Sequence, residues 1–131
     1  MDELVGRALV AVERLAWCDA NGGSDARTGP VHLHLEGGRG VFFSGETDLT
    51  FGAVVTRAGD ESWLSPYLYD IEGAQWAIRD AAQEPPFADT LGARLKSWTS
   101  VRNEMGEQIG MALEFDEVSV TLTLHEGEVA T

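Results

Sequence analysis

The chain has little sulfur, lysine or proline: one cysteine (Cys18), one lysine (Lys96) and four prolines among 131 residues. A lone cysteine excludes an internal disulfide and suits a reducing compartment. No histidine or other base lies near it in sequence, so Cys18 reads as a spectator thiol rather than a nucleophile. No stretch of apolar residues is long enough to span a membrane as a helix. The opening Met1-Asp2-Glu3 lacks the cationic start of a secretory signal. Together these features predict a cytoplasmic protein.

Positive charge is also scarce. Nine Lys and Arg face 22 Asp and Glu, for a net charge of −13. Such a field repels nucleic acid and anionic membrane surfaces and speeds encounter with basic partners. Catalytic signatures are missing too. There is no Gly-x-Ser-x-Gly elbow and no Gly-Lys-Ser/Thr phosphate loop. Carboxylate pairs such as Asp60-Glu61, Asp70 with Glu72, Glu46 with Asp48, and Glu126 with Glu128 could suggest glycoside hydrolysis. With 22 acids in one chain, pairs of this kind arise by chance. The expectation is therefore a protein that is not an enzyme and carries no cofactor.

What the chain does have is alternation. From Met111 to Phe115 and from Val118 to Leu124, apolar residues fall on every second position, the spacing that puts them on one side of a strand, with Asp116-Glu117 as the turn. Val31 to Glu36 alternates in the same way, and Gly37-Gly38 leads into Val41-Phe42-Phe43 as a second hairpin. Asp48 to Thr56 reads as a further strand, with Gly52 marking a bulge or bend.

The N-terminus is ambiguous. Leu4, Ala8, Val12 and Leu15 keep helical spacing, and Glu3 with Arg7 would form a helical pair. Against a helix, Val5-Gly6-Arg7-Ala8-Leu9 resembles Leu91-Gly92-Ala93-Arg94-Leu95. Each copy runs through a polar loop (Asn21 to Gly23, Asn103 to Gly106) to a glycine that opens an alternating strand, Gly29 or Gly110. The internal similarity favours strands in both places. It divides the single domain, residues 1–131, into related units at about 4–56 and 90–131 with an irregular segment, 57–89, between them. In that segment Trp63 to Asp70 has the composition of an ordered loop or sheet edge. Gln75 to Arg79 is a short strand or the start of a helix through Ala81 and Ala82, and Pro85-Pro86 stops either. The expected fold is mainly β with little helix: a sandwich or strongly curved antiparallel sheet built from two related strand–hairpin units.

Arg79-Asp80, Pro85-Pro86-Phe87, the Leu91 to Leu95 run and Ile109-Gly110-Met111-Ala112-Leu113-Glu114-Phe115 with its hairpin resemble small bacterial proteins of actinobacterial type. In these a Pro-Phe pair leads to a Leu-Gly strand and a Gly-x-x-Leu-x-Phe hairpin. The pattern is similar to that of predicted immunity proteins of polymorphic toxin systems. The resemblance implies a fold and a partner class, and it carries no catalytic residues.

Two groups of residues are candidate sites. His32 and His34 share one strand face, and His125 lies on the polar face of another strand, so three imidazoles could converge on a metal ion. His32-x-His34 resembles the start of a cupin metal motif, but the positions where that motif needs Glu hold Gly37, Gly38, Arg39 and Gly40, and Glu36 is too close. The reading that the sequence favours is solvent-facing histidines opposite a buried Val31, Leu33 and Leu35 face. The second group is Asp60, Glu61, Trp63, Tyr67, Tyr69, Asp70 and Glu72, aromatic anchors among acids. The competing reading makes Trp63 and Trp76 core and the acids a solvated rim.

The expected function is a non-enzymatic acidic protein-binding module, an immunity protein that neutralises a basic toxin domain by occlusion. One alternative is a small-molecule or metal-binding β domain using His32, His34 and His125, with Trp98 as a further pocket residue. Another is a structural homo-oligomer. The sequence leaves the oligomeric state open.

Overall fold

Alternation prevails over helical spacing along the described residues. The computed structural model describes residues 2–21, 28–46, 50–125 and 127–131, and among these there is no α-helix. The strands are β1 (Leu9–Cys18), β2 (Val31–Leu35), β3 (Arg39–Gly45), β4 (Phe51–Arg57), β5 (Asp70–Ile71), β6 (Ala74–Asp80), β7 (Leu95–Arg102), β8 (Gln108–Phe115), β9 (Ser119–His125) and β10 (Glu128–Ala130). Short 3-10 helices occupy Asp2–Leu4, Ser62–Tyr67 and Phe87–Asp89.

The strands form two antiparallel sheets. One has the order β4-β3-β2-β1-β6-β5 and the other β10-β9-β8-β7. Successive strands β1 to β4 lie side by side, and so do β7 to β10. The two sheets meet along one edge, where Gly6 N–H donates to Leu95 O, Leu95 N–H to Arg7 O, and Leu9 N–H to Ala93 O. Between the sheets lies one apolar core. Val12, Leu33, Leu35, Val41 and Phe43 of the larger sheet pack with Met111, Leu113, Phe115, Val120 and Leu122 of the smaller one. The alternating hairpins thus supply the inward faces that their spacing predicts.

The helical spacing near the N-terminus has a different cause. The β1–β2 register shifts between Leu9 and Ala11, a bulge that inserts one residue and lets Leu9 and Val12, three apart, both face the core. Leu15 continues the spacing only because the other face of this sheet is covered as well.

Of the two readings of Gln75 to Arg79, the short strand is the one that forms: β6 pairs with β1 from Glu13↔Asp80 to Cys18↔Gln75, placing it inside the larger sheet. Its alternating Ala-Gln-Trp-Ala-Ile-Arg composition is too short for a distinct periodic signal. Gly52 opposes Ser44 in unbroken register and marks no bulge; a Cβ there would strike the Glu46 side chain, so the glycine makes room for that carboxylate. Part of the strand expected over 48–56, and the Gly22-Gly23 portion of the first polar loop, lie outside the described residues.

Arg14 ties the layers together. It is 2% exposed and points to the β10 side, donating to Val129 O at 3.1 Å and to Gly29 O at 3.4 Å. A guanidinium so buried is tolerable only when its donors are matched.

Candidate functional site

Of the two histidines expected to face solvent, His34 keeps a side chain 38% exposed and His32 does not. His32 is only 5% exposed, because the outer face of the larger sheet carries a second layer. Strand pairing explains the arrangement. Phe42, His32, Glu13 and Asp80 form one row across β3, β2, β1 and β6; Thr56, Gly40, His34 and Ala11 form the next across β4, β3, β2 and β1. The 3-10 helix Ser62–Tyr67 lies over these rows. Its Trp63 ring sits 4.3 Å from His32 and 4.8 Å from Phe42, centre to centre.

From Trp63 and Phe42 the aromatic contacts continue. Tyr67 packs edge-on to Phe42 and Trp76, Trp76 to Trp17, and Trp17 lies 5.8 Å from Tyr69. Trp76 Nε1–H donates to Tyr69 Oη at 2.9 Å. Aromatic pairs in these tilted and edge geometries stabilise beyond the area they bury, by roughly 0.5–1.5 kcal/mol each. Burial pushes the Tyr67 phenol above its ordinary pKa, partly offset by a hydrogen bond with Ser44.

Beside Trp63 opens a cleft of about 420 Å³. Glu13, His32, His34, Thr56, Asp60 and Glu61 are among the residues that line it. Within it, His34 Nε2 and Glu13 Oε1 are 2.5 Å apart, and His32 Nε2 and Thr56 Oγ1 are 2.7 Å apart. The two imidazole rings lie 4.1 Å apart. Gly40 makes the second contact possible, since a Cβ there would come within 2.5 Å of Leu33 O and 2.8 Å of Thr56 Oγ1. His32 Nδ1 is buried without a hydrogen-bond partner among the described residues. Burial, with His34 as a second and smaller cause, pulls the His32 pKa down to about 4, so the ring is neutral at neutral pH.

The ligand-type side chains that converge are therefore Glu13, His32 and His34, with one potential ligand atom from each lying within 4.8 Å of the others. His125 is not in the group. It stands on β9 of the other sheet, opposite Glu128. Glu13 escaped the sequence reading because β1 was separated from β2 by a loop of unknown register; once Glu13 is paired with His32, the clustering follows. Trp98 belongs to the rim of the central core rather than to this cleft.

The acidic-aromatic group divides among three places. Asp60 and Glu61 stand on the cleft rim, where the Ser62 N–H, at 3.0 Å, holds the Asp60 carboxyl below its ordinary pKa. Trp63 and Tyr67 are half-buried and committed to the outer aromatic layer. Asp70 and Glu72 belong to the β5–β6 hairpin, in which Asp70 accepts from Gly73 N–H at 2.9 Å. Tyr69 is exposed beside them, and so are Leu68 and Ile71, which the sequence reading did not single out.

Comparison with protein-family models, with curated proteins and with solved structures finds no match to this chain.

Proposed function

We propose that the protein is a non-enzymatic acidic module that binds a basic protein partner, with an immunity protein occluding a basic bacterial toxin domain as the concrete case. The observation that carries this reading is the exposed apolar run at the sheet edge. Leu68 is 72% and Ile71 57% exposed, with Tyr69 between them and the carboxylates of Asp70 and Glu72 alongside. Large apolar side chains at a surface cost solubility unless a partner covers them. The net charge of −13 selects a cationic partner and accelerates its approach. An ordinary interface of ~800 Å² per partner would cover this edge.

The test is stopped-flow association of the purified protein with the basic protein encoded beside its gene. Association should slow as salt rises and drop at least roughly tenfold when Asp60, Glu61, Asp70 and Glu72 are replaced by lysine. Rates indifferent to salt and to these replacements would sink the proposal, as would the absence of any basic neighbour that binds.

A second reading, a small-ligand binding domain, draws on the cleft beside Trp63, whose volume lies within the range of small-molecule sites. Ligand-detected magnetic resonance with a fragment set would support it if hits are displaced by Trp63→Ala. Hits that persist in that variant exclude the cleft.

A further inference from the structure

We propose that Glu13, His32 and His34 form a divalent-metal site of the zinc class, with a further coordination position open to the cleft. Two imidazoles and one carboxylate are a donor set that zinc takes in sites that retain an exchangeable position. Their potential ligand atoms already lie within 4.8 Å of one another, so modest side-chain adjustment brings them to one ion. Two of them, Glu13 and His34, have side chains 37% and 38% exposed and can adjust at the cleft wall.

His32 supplies the feature that an ordinary buried histidine lacks. Nε2 is engaged by Thr56 Oγ1 at 2.7 Å, while Nδ1 is buried with no partner among the described residues. A buried polar atom left without a partner is unfavourable. If Nε2–H donates to Thr56, the tautomer is set and the lone pair at Nδ1 is left for a cation. Holding a ligating imidazole by its far N–H is the usual outer support of such sites. Gly40, whose missing side chain leaves room for this support, and Trp63, which shields it from water, then become parts of the site. Glu13 is close to His34 because its carboxylate accepts a hydrogen bond when Nε2 carries the hydrogen; an ion between them would shift that hydrogen to Nδ1 or release it to solvent and replace the hydrogen bond by two coordinate bonds. The strongly negative chain raises the local concentration of cations. Leu68 to Glu72 are not among the residues lining the cleft, and the inference holds whether or not a protein partner binds at that edge.

The test uses the full chain, freed of metal by a chelator and titrated calorimetrically with zinc chloride near neutral pH. Saturable binding of one zinc per chain is expected. Glu13→Gln and His34→Ala should each weaken it by roughly tenfold to a hundredfold, whereas His125→Ala and Cys18→Ser should leave it unchanged. Absence of saturable binding overturns the proposal, and so does binding that survives both site substitutions or that is lost with His125 or Cys18. Should a variant fail to fold, cobalt(II) added to the unaltered protein decides: paramagnetic shifts of the His32 and His34 ring signals support the site, and shifts confined to His125, or none, overturn it.

Discussion

Glu13 and His34 meet diagonally. The residue directly opposite Glu13 on β2 is His32, yet the carboxylate reaches the His34 imidazole two residues further along β2, 2.5 Å from Nε2. Diagonal contacts of this kind are within reach of long side chains on a twisted antiparallel pair. A one-residue slip of β1 against β2 would send Glu13 into the core, so the arrangement depends on the same register that buries Val12.

Gly40→Ala tests how closely the outer layer is fitted. The added carbon would meet Leu33 O, a backbone atom that cannot rotate away, together with Thr56 Oγ1. We expect a loss of about 1–3 kcal/mol in urea denaturation, as for overpacking elsewhere, and disruption of the His32–Thr56 contact in side-chain resonances. A change within ~0.5 kcal/mol, the ordinary range for surface positions, would show that the row has slack.

Stability of the metal-free protein should fall with acidity. The folded-state pKa of His32 is about 4 against 6.5 for a free ring. Between these values the unfolded chain binds a proton that the folded chain refuses, so stability is full above 6.5, falls as pH drops, and levels off below about 4. The upper bound is ~3 kcal/mol. The groups around the ring are Glu13 on the neighbouring strand β1 and His34 on the same strand, with Asp60, Glu61 and Arg57 among the residues lining the cleft. Urea midpoints measured across this pH range in chelator should slope less for His32→Asn than for the unaltered protein. Equal slopes would assign the acid sensitivity to carboxylates instead.

Replacing Arg14 by Met keeps much of the side-chain length and removes the donors. Gly29 O loses its buried partner, Val129 O keeps only the Gly29 N–H, and the end of β10 loses its tie to β1. A cost of about 1–3 kcal/mol is expected from the abandoned Gly29 acceptor and the weakened tie to Val129 O, with amide exchange rising first along Glu128–Ala130. Faster exchange elsewhere but not there would point to a different role for the guanidinium.

Leu68→Ser with Ile71→Ser should behave in the opposite way. Both side chains are exposed, so thermal stability should stay within ~0.5 kcal/mol of the unaltered chain, while association with a basic partner weakens. Clear destabilisation would mean that these residues serve the fold.

Much of the fold was readable because strand spacing repeats. Met111, Leu113, Phe115, Val120 and Leu122 all reach the core that their alternation predicts, and the turns at Gly37-Gly38 and Asp116-Glu117 fall where the pattern breaks. Glycine is required at the first turn, where both residues have positive φ. The site was only half legible. His32 and His34 stood out by their spacing, but their third companion comes from another strand, and the choice between Glu13 and His125 is made by sheet pairing rather than by local sequence. The cover over His32 was illegible for a further reason. Trp63 sits on an irregular 3-10 segment that contains Pro66, and no periodicity announces which way such a segment faces.

The strand order also bears on how the molecule assembles. In β7 to β10 every strand pairs with its neighbour in the chain, so that sheet closes by short loops at small entropic cost. The pairing of β1 with β6 is long-range, bringing Trp17 to Trp76 across most of the N-terminal half, whereas the other edge of β1 pairs with its chain neighbour β2. Refolding should therefore protect the C-terminal amides first, and pulse-labelled hydrogen exchange would register the β1–β6 ladder last. The cleft, lined from both of those strands, would be among the final features to form, and an interrupted chain would expose the C-terminal sheet without it.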